Sequence, residues 1–333
     1  MDKHTILIVG MGQIGASIGL ALQAHTDQLH RIGNSSSVGQ ANHAKKIGAI
    51  DKSMVNLPSA VRKADIVVLA VPMDEIKETL KLVAEDLKEG GIVLDTSPAR
   101  IQAAEWAGEY FNEDQHYVGF TPILNPRSLL SVVGGIEEAS DLLFQDGIVA
   151  ITAPVNTSNE ALKLAADLAS LLRATAMFAD AVEVDSYISR VHLLPQLLAS
   201  SLSKTSSESP GWGEIRKFAG RPYAQMTQLL ENMDRAAALA AASQMNKESI
   251  VRNLDEIIAD LNSMRDELEA EDQAAFESRI EIAAELRRKW WQERQHSAWL
   301  NERGADTDSQ GVSIGGMGQL FMGKPGRGRR DNN

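Results

Sequence analysis

The hydrophobic positions of the first half fall in short unbroken runs, separated by amphipathic segments of helix length. The runs are TILIV (5–9), HRIG (30–33), DIVVLAV (65–71), GIVLDT (91–96), HYVGF (116–120), IVAITA (148–153) and AMFAD (176–180). The early runs are nearly continuous in Val, Ile and Leu, as in strands covered on both faces. Their alternation with helical segments predicts a Rossmann-type, doubly wound parallel sheet. The segment 157–174, TSNEALKLAADLASLLRA, reads as a crossover helix with Thr157, Ser158 or Asn159 available as its cap.

Beyond residue 181 the strand pattern stops. Helical stretches are predicted at 182–204, 223–243, 246–270 and 272–300, with SKTSSESPGWGE (203–214) as a loop. The expected fold is therefore α/β plus all-α. A dinucleotide-binding domain occupies 1–180 and a helical substrate and dimerisation domain 181–303. The stretch 304–333 is Gly-rich and polar and reads as a disordered tail with a solvated basic end at Lys324, Arg327, Arg329 and Arg330. Long helices with alanine-rich faces such as DRAAALAAAS predict a homodimer.

Composition narrows the function. A chain of 333 residues with 44% hydrophobic residues has enough apolar side chains for two cores. Its net charge of −12 argues against nucleic acid or anionic membranes as partners. It has no run of about 18 apolar residues, so no membrane span is expected. With no cysteine there are no disulfides, no thiolate-bound zinc and no thiol nucleophile, which fits a reducing, cytoplasmic setting. No metal is expected.

The first run leads into GMGQIG, with Gly10, Gly12 and Gly15 in G-x-G-x-x-G spacing. The spacing is weak alone, but here it follows a strand and opens a helix. Gly10 permits the tight turn, Gly12 the approach of a diphosphate, and Gly15 close packing of helix on strand. Met11, Gln13 and Ile14 complete the turn. Where an acidic residue would select NAD, the chain reads Asn34, Ser35, Ser36, with Arg31 just before. NADP is therefore expected, NAD remaining possible. Ala70, Val71 and Pro72 end one strand, and Asp95, Thr96 and Ser97 the next, at the carboxyl edge where open parallel sheets bind ligands.

His116 and Thr121 bracket a strand. Five residues at roughly 3.3 Å each separate them by about 16 Å. His116 belongs at the amino edge, away from a cofactor, and Thr121 at the carboxyl edge beside it. Of the other histidines, only His192 lies on a helix expected to face the cleft. It shares a helix face with Gln196, four residues on, and Pro195 predicts a kink in this helix, a shape that suits a cleft.

Together GMGQIGASIGLAL, AVP, LDTSPAR, VGFTPILNP, EVDSYISRVHLLPQLLA and QMTQLLEN resemble the prephenate/arogenate dehydrogenase family across roughly residues 5 to 270. The resemblance implies a dinucleotide-binding domain joined to a helical dimerisation domain. It also implies oxidation of the ring alcohol of prephenate or arogenate, with loss of carboxylate to aromatise the ring. The chain departs from the family at its reactive positions. Thr121 stands where the family has its proton-accepting histidine. Pro98 replaces a serine, with Ser97 beside it, and Arg100 replaces a lysine. The helical Ser-His-Leu-Pro-His becomes His192 to Gln196, and the substrate arginine becomes Gln228 after Thr227. Thr121 and His192 are thus the catalytic candidates. Ser97, Gln196 and Gln228 are candidates for hydrogen bonds to substrate. Among Arg100, Arg127, Arg190 and Arg221 as cations for an anionic substrate, Arg127 and Arg221 are best placed. The alternatives are an NADP-dependent oxidoreductase of another small acid or imine, and a non-catalytic NADP-binding protein.

Overall fold

The computed structural model describes residues 3–130, 134–231 and 235–296. Strands β1 (His4–Val9), β2 (Leu29–Asn34), β3 (Lys52–Ser53), β4 (Ile66–Leu69), β5 (Ile92–Asp95), β6 (His116–Ile123), β7 (Ile148–Thr152) and β8 (Thr175–Phe178) form one sheet in the order β3-β2-β1-β4-β5-β6-β7-β8. Helices α1 (Gln13–Ala21), α2 (Val38–Lys46), α3 (Leu57–Val61), α4 (Met73–Asp86), α5 (Arg100–Tyr110) and α6 (Asn159–Leu171) cover it. The two-residue repeat of each strand feeds two separate cores: Ile6 and Ile8 enter one, Leu7 and Val9 the other. Strand order reverses at β1, which leaves a crevice at the carboxyl ends of β1 and β4.

The sheet departs from the expected parallel pattern at one place. β7 runs antiparallel to β6, from Gly119 opposite Thr152 to Ile123 opposite Ile148. Among the described residues, only short turns at Pro126–Ser128 and Ile136–Glu138 join the two strands. Without a crossover helix, the chain returns along the edge it has just left. β3 was not foreseen, because two polar residues make no apolar run. At α6 the open choice of cap falls to Ser158, whose Oγ accepts from the Ala161 N–H at 3.2 Å.

No strand follows β8 among the described residues. The chain continues as α7 (Ala181–Ile188), a π turn (Ser189–Leu193), α8 (Leu194–Ser207), α9 (Trp212–Ile215), α10 (Arg221–Thr227), α11 (Ala236–Met245), α12 (Lys247–Glu269) and α13 (Gln273–His296). The anticipated kink is the π turn. Pro195 cannot donate to Val191, the ladder widens, and the Gln196 side-chain amide donates to the His192 carbonyl at 2.8 Å. The stretch 203–214 is less of a loop than expected. The Thr205 hydroxyl donates back to the Ser201 carbonyl at 2.8 Å, and α8 runs on to Ser207. The expected single helix at 223–243 is two, with a turn at Gln228–Leu230 between α10 and α11. Both pieces are rich in good helix formers, so propensity carried no sign of the break. The end set for the second domain at 303, and the tail 304–333, lie outside the described residues.

The helices dock on one face of the sheet. Val184, Ile188, Leu193, Ala242 and Ile250 join the core that holds Leu7, Val67, Val93, Ala103 and Tyr117. At the surface of this contact Arg235 pairs with Asp74 at 2.9 Å and Glu75 at 2.7 Å in the first turn of α4.

Candidate functional site

The glycine turn is tight and leaves open space at its outer edge. Gly10 has φ +96°, and a Cβ there would stand 2.2 Å from the Ala70 carbonyl oxygen. A Cβ on Gly15 would stand 2.0 Å from the Gly10 carbonyl oxygen, so α1 lies directly against the turn. Gly12 differs: a Cβ there meets nothing within 4 Å. Gly12 is also the N-cap of α1, with no side-chain cap and no acidic residue in the first turn. Unclaimed helical N–H groups therefore open onto free space at the switch point of the sheet. These features fit a dinucleotide's diphosphate. Ala70, Val71 and Pro72 border the turn, the Val71 Cγ1 lying 3.2 Å from that Gly10 position. Met11 is buried, Ile14 packs on the core, and Gln13 reaches the Glu138 carbonyl at 3.4 Å.

At the end of β2 the residues divide. Asn34 donates its side-chain amide to the Met54 and Val55 carbonyls at 2.8 and 3.0 Å. Ser35 and Ser36 follow at the rim, where the Ser37 Oγ caps α2. Arg31 is not at this rim. Three residues lower in the strand, its guanidinium is held by Asp51 at 2.6 Å and by the Gly19 and Gly48 carbonyls at 2.8 and 2.9 Å. Burial works against the Asp51 charge, but the bonds from Arg31 prevail and hold its carboxyl below the usual value.

The ends of β5 and β6 form a buried charged floor. Asp95 accepts from the Ser97 N–H at 2.9 Å, the Ser97 hydroxyl at 2.8 Å, the Tyr117 hydroxyl at 2.8 Å and the Arg100 guanidinium at 3.2 Å. Arg100 is fully buried, and its guanidinium also donates to the Asp95 carbonyl at 2.5 Å, to the Ser97 hydroxyl at 2.7 Å and to the Ser97 carbonyl. From α7, the Asp185 carboxylate accepts from the N–H groups of Arg100 at 2.6 Å and Ile101 at 3.0 Å. Burial disfavours the Arg100 charge, but Asp95, Tyr117 and Asp185 outweigh it and raise its pKa. Burial and then the Asp95 charge push the Tyr117 phenol well up. Burial raises the Asp185 carboxyl against its two backbone bonds. Ser97, expected at the ligand, is turned inward and builds this floor instead. Arg100 is unavailable to a substrate for the same reason.

Gly119 makes room for the arrangement: a Cβ there would lie 2.9 Å from an Arg100 Nη. Glycine inside a strand often marks such a close approach, and that signal was present in the sequence. Asp185 carried no comparable local signal.

Strand register places the two ends of β6. His116 pairs with Ile92, the first residue of β5, whereas Gly119 pairs with its last, Asp95. Thr121 therefore stands two residues, roughly 7 Å, past the floor. Alternation puts Tyr117, Gly119 and Thr121 on the face that meets the helical part, with Val118 and Phe120 on the other. Thr121 is 8% exposed and its buried Oγ1 has no hydrogen-bond partner. On the π turn, Leu193 packs inward and His192 is exposed. Gln196 spends its amide on the His192 carbonyl, Gln228 is half-buried in its turn, and Arg190 pairs with Glu256 at 2.6 Å. Arg127 and Arg221 are exposed, with no carboxylate at ion-pair distance among the described residues. No group of metal-binding side chains occurs among the described residues.

Comparison with known proteins agrees with this layout. Residues 18–177 match the nucleotide-binding domain model of prephenate dehydrogenase, and residues 180–281 match its dimerization domain model. The chain belongs to the prephenate/arogenate dehydrogenase family. It is a nicotinamide-dependent oxidoreductase of that kind. It is 26% identical to the prephenate dehydrogenase of Bacillus subtilis over 279 residues, covering 81% of this chain and 71% of the relative. It is 31% identical to that of Lactococcus lactis over 199 residues, covering 59% of this chain and 52% of the relative. In fold it is similar to the prephenate dehydrogenase of Aquifex aeolicus, with TM-score 0.76, 19% identity and coverage of 87% and 99% of the two chains. A Synechocystis arogenate dehydrogenase follows at TM-score 0.65, 18% identity and coverage of 86% and 99%. The first family match begins beyond the glycine turn, so the turn's assignment rests on its geometry. No described helix is long and apolar enough to cross a membrane.

Proposed function

We propose that this protein oxidises the ring alcohol of prephenate or arogenate, with NADP as its preferred acceptor, as a homodimer through its helical part. The observation that carries the reading is the Gly10–Gly12 turn, shaped for a diphosphate, at the switch point beside the rim that ends in Thr121. The nicotinamide supplies the hydride acceptor. The residues of the chain orient the ring and handle the proton. The Thr121 hydroxyl bonds the ring hydroxyl, His192 takes its proton, and Arg127 or Arg221 neutralises a substrate carboxylate. The ring then loses its other carboxylate as carbon dioxide and becomes aromatic. NADP is favoured because no carboxylate follows β2 at residues 34–37 to repel a 2′-phosphate, while Ser35 and Ser36 offer hydroxyl donors. The dimer is supported by the match to a dimerization domain and by exposed apolar side chains on α12 and α13, among them Ile258, Leu261, Ile282 and Leu286.

The deciding assay follows reduced nucleotide at 340 nm with prephenate and with arogenate, each over NADP and NAD. Turnover of one ring acid, at a higher kcat/KM with NADP, is expected. Absence of turnover in all four mixtures defeats the reading.

Thr121→Val tests the hydroxyl itself. Removing an unpartnered buried hydroxyl relieves a penalty of about 1–3 kcal/mol, so the variant should melt a few degrees higher. It should also lose about tenfold in kcat/KM, the worth of one hydrogen bond of about 1.4 kcal/mol. A higher Tm with unchanged turnover would remove Thr121 from the mechanism.

A further inference from the structure

Helix α5 begins at the floor of the cleft without a cap of its own, for its N-cap residue Ala99 has no side-chain acceptor. The cap comes from 85 positions away. The Asp185 carboxylate spans the junction between the two parts of the chain and takes the N–H groups of both Arg100 and Ile101. Asp185 is 6% exposed, so water does not compete for these bonds. One turn further along the same helix begins the π turn that carries Ser189 and His192. At the other end of the joint, the Arg100 side chain is locked to Asp95 and Ser97, and Asp95 is bonded to Tyr117 two residues before Gly119 on the strand of Thr121. Buried hydrogen bonds thus run from Asp185 through Arg100 to Asp95 and Tyr117, and the backbone carries the link on, four residues along the helix to Ser189 of the π turn and four along β6 to Thr121.

We infer that Asp185 is a positioning residue: by capping α5 across the domain junction, it sets where the π turn with His192 stands relative to Thr121. The inference rests on the proposed reaction only for its kinetic readout. Displacement of about 1 Å far from the reacting atoms is enough to cost roughly 10²-fold in rate. Asp185→Glu is the sharpest variant. It keeps the charge and both acceptor oxygens, but the added methylene, about 1.5 Å long, lets the cap form only if α7 moves away from α5.

The test compares Asp185→Glu and Asp185→Asn with the parent protein. We expect Asp185→Glu to lose at least tenfold in kcat, with the NADP Kd within about twofold and Tm within a few degrees. Asp185→Asn, which leaves the spacing unaltered and retains one acceptor, should recover part of the kcat. A kcat in Asp185→Glu within twofold of the parent overturns the inference. So does a rise in nucleotide Kd that accounts for the whole loss.

A second measurement is independent of substrate. The chain has no cysteine, so spin labels can be placed at Val155 and Val191, both exposed, and protein diluted with unlabelled chains can be studied by pulsed dipolar spectroscopy. If the parent turns over neither ring acid, the proposed substrate falls and this distance decides alone. A changed or broadened separation in Asp185→Glu supports the positioning role, and an unchanged one refutes it.

Discussion

Gly12→Val leaves the fold intact and abolishes nucleotide binding. A Cβ at Gly12 meets no atom within 4 Å, and its φ of −79° and ψ of −164° are extended backbone that valine accepts. The folded protein therefore has no reason to resist the change, and Tm should stay within about 2 °C of the parent, the shift of less than 1 kcal/mol in a domain of this size. The added side chain occupies the space that a diphosphate needs against the first N–H groups of α1. Calorimetric titration with NADP should show affinity at least a hundredfold weaker, about 2.7 kcal/mol. Gly10→Ala is the contrast. Its Cβ would stand 2.2 Å from the Ala70 carbonyl oxygen at a φ of +96°, so the ends of β1 and β4 must part and both stability and binding should fall. Undiminished NADP binding in Gly12→Val would mean that the turn holds no diphosphate, and the proposed chemistry would lose its foundation.

Arg100→Met should be the most destabilising single change in the nucleotide-binding part. Arg100 and Asp95 are both fully buried, and both Nη groups of the arginine are hydrogen-bonded, while its Nε has no partner. Removing one partner of such a pair costs about 3–5 kcal/mol, because the other charge is left in a low-dielectric interior without compensation. At roughly 2–4 °C per kcal/mol in a domain of 150–250 residues, the melting temperature should drop by about 10 °C. Methionine restores much of the volume, so the loss reports the charge and its bonds rather than a cavity. Arg100→Lys should be intermediate, since one ammonium cannot reach the Asp95 carbonyl, the Asp95 carboxylate and the Ser97 hydroxyl together. Thermal melting of the purified variants decides. A change below about 1 kcal/mol for Arg100→Met would show that the charged floor is not what holds β5, α5 and β6 together.

The behaviour of these residues separates what was legible along the chain from what was not. The apolar runs located β1, β2 and β4 to β7 because these strands are largely buried on both faces, and burial leaves a local record; β8, at the sheet edge with Phe178 exposed, was marked by its apolar residues alone. The roles of the glycines were legible because a tight turn, an open approach and a close packing contact each follow from spacing after a strand. Counting residues placed His116 at the start of β6 and Thr121 past the end of β5, but β6 does not stop there: it runs on to Ile123 because β7 pairs with it. Pro195 announced the π turn through its missing N–H.

Polar side chains were another matter. Arg31 stood in sequence beside the cofactor loop, yet Asp51, twenty residues on, claims it. Ser97 and Gln196 were placed at the ligand by their neighbours, and each turns to a partner in its own fold. Asp185 offered no local pattern, and only the packing of α7 on α5 gives it two amides to bond. The chain by itself determined the order of strands and helices, the glycine turn between β1 and α1, and which residues fall at the carboxyl edge of the sheet. These depend on periodicity, chain stiffness and reach over a few residues. The tertiary structure alone decided the direction of β7, the break between α10 and α11, and which charged and polar groups are consumed as struts. A hydrogen-bonding group takes whichever partner the folded chain brings within about 3 Å, and nothing in its own neighbourhood of sequence records which one that is.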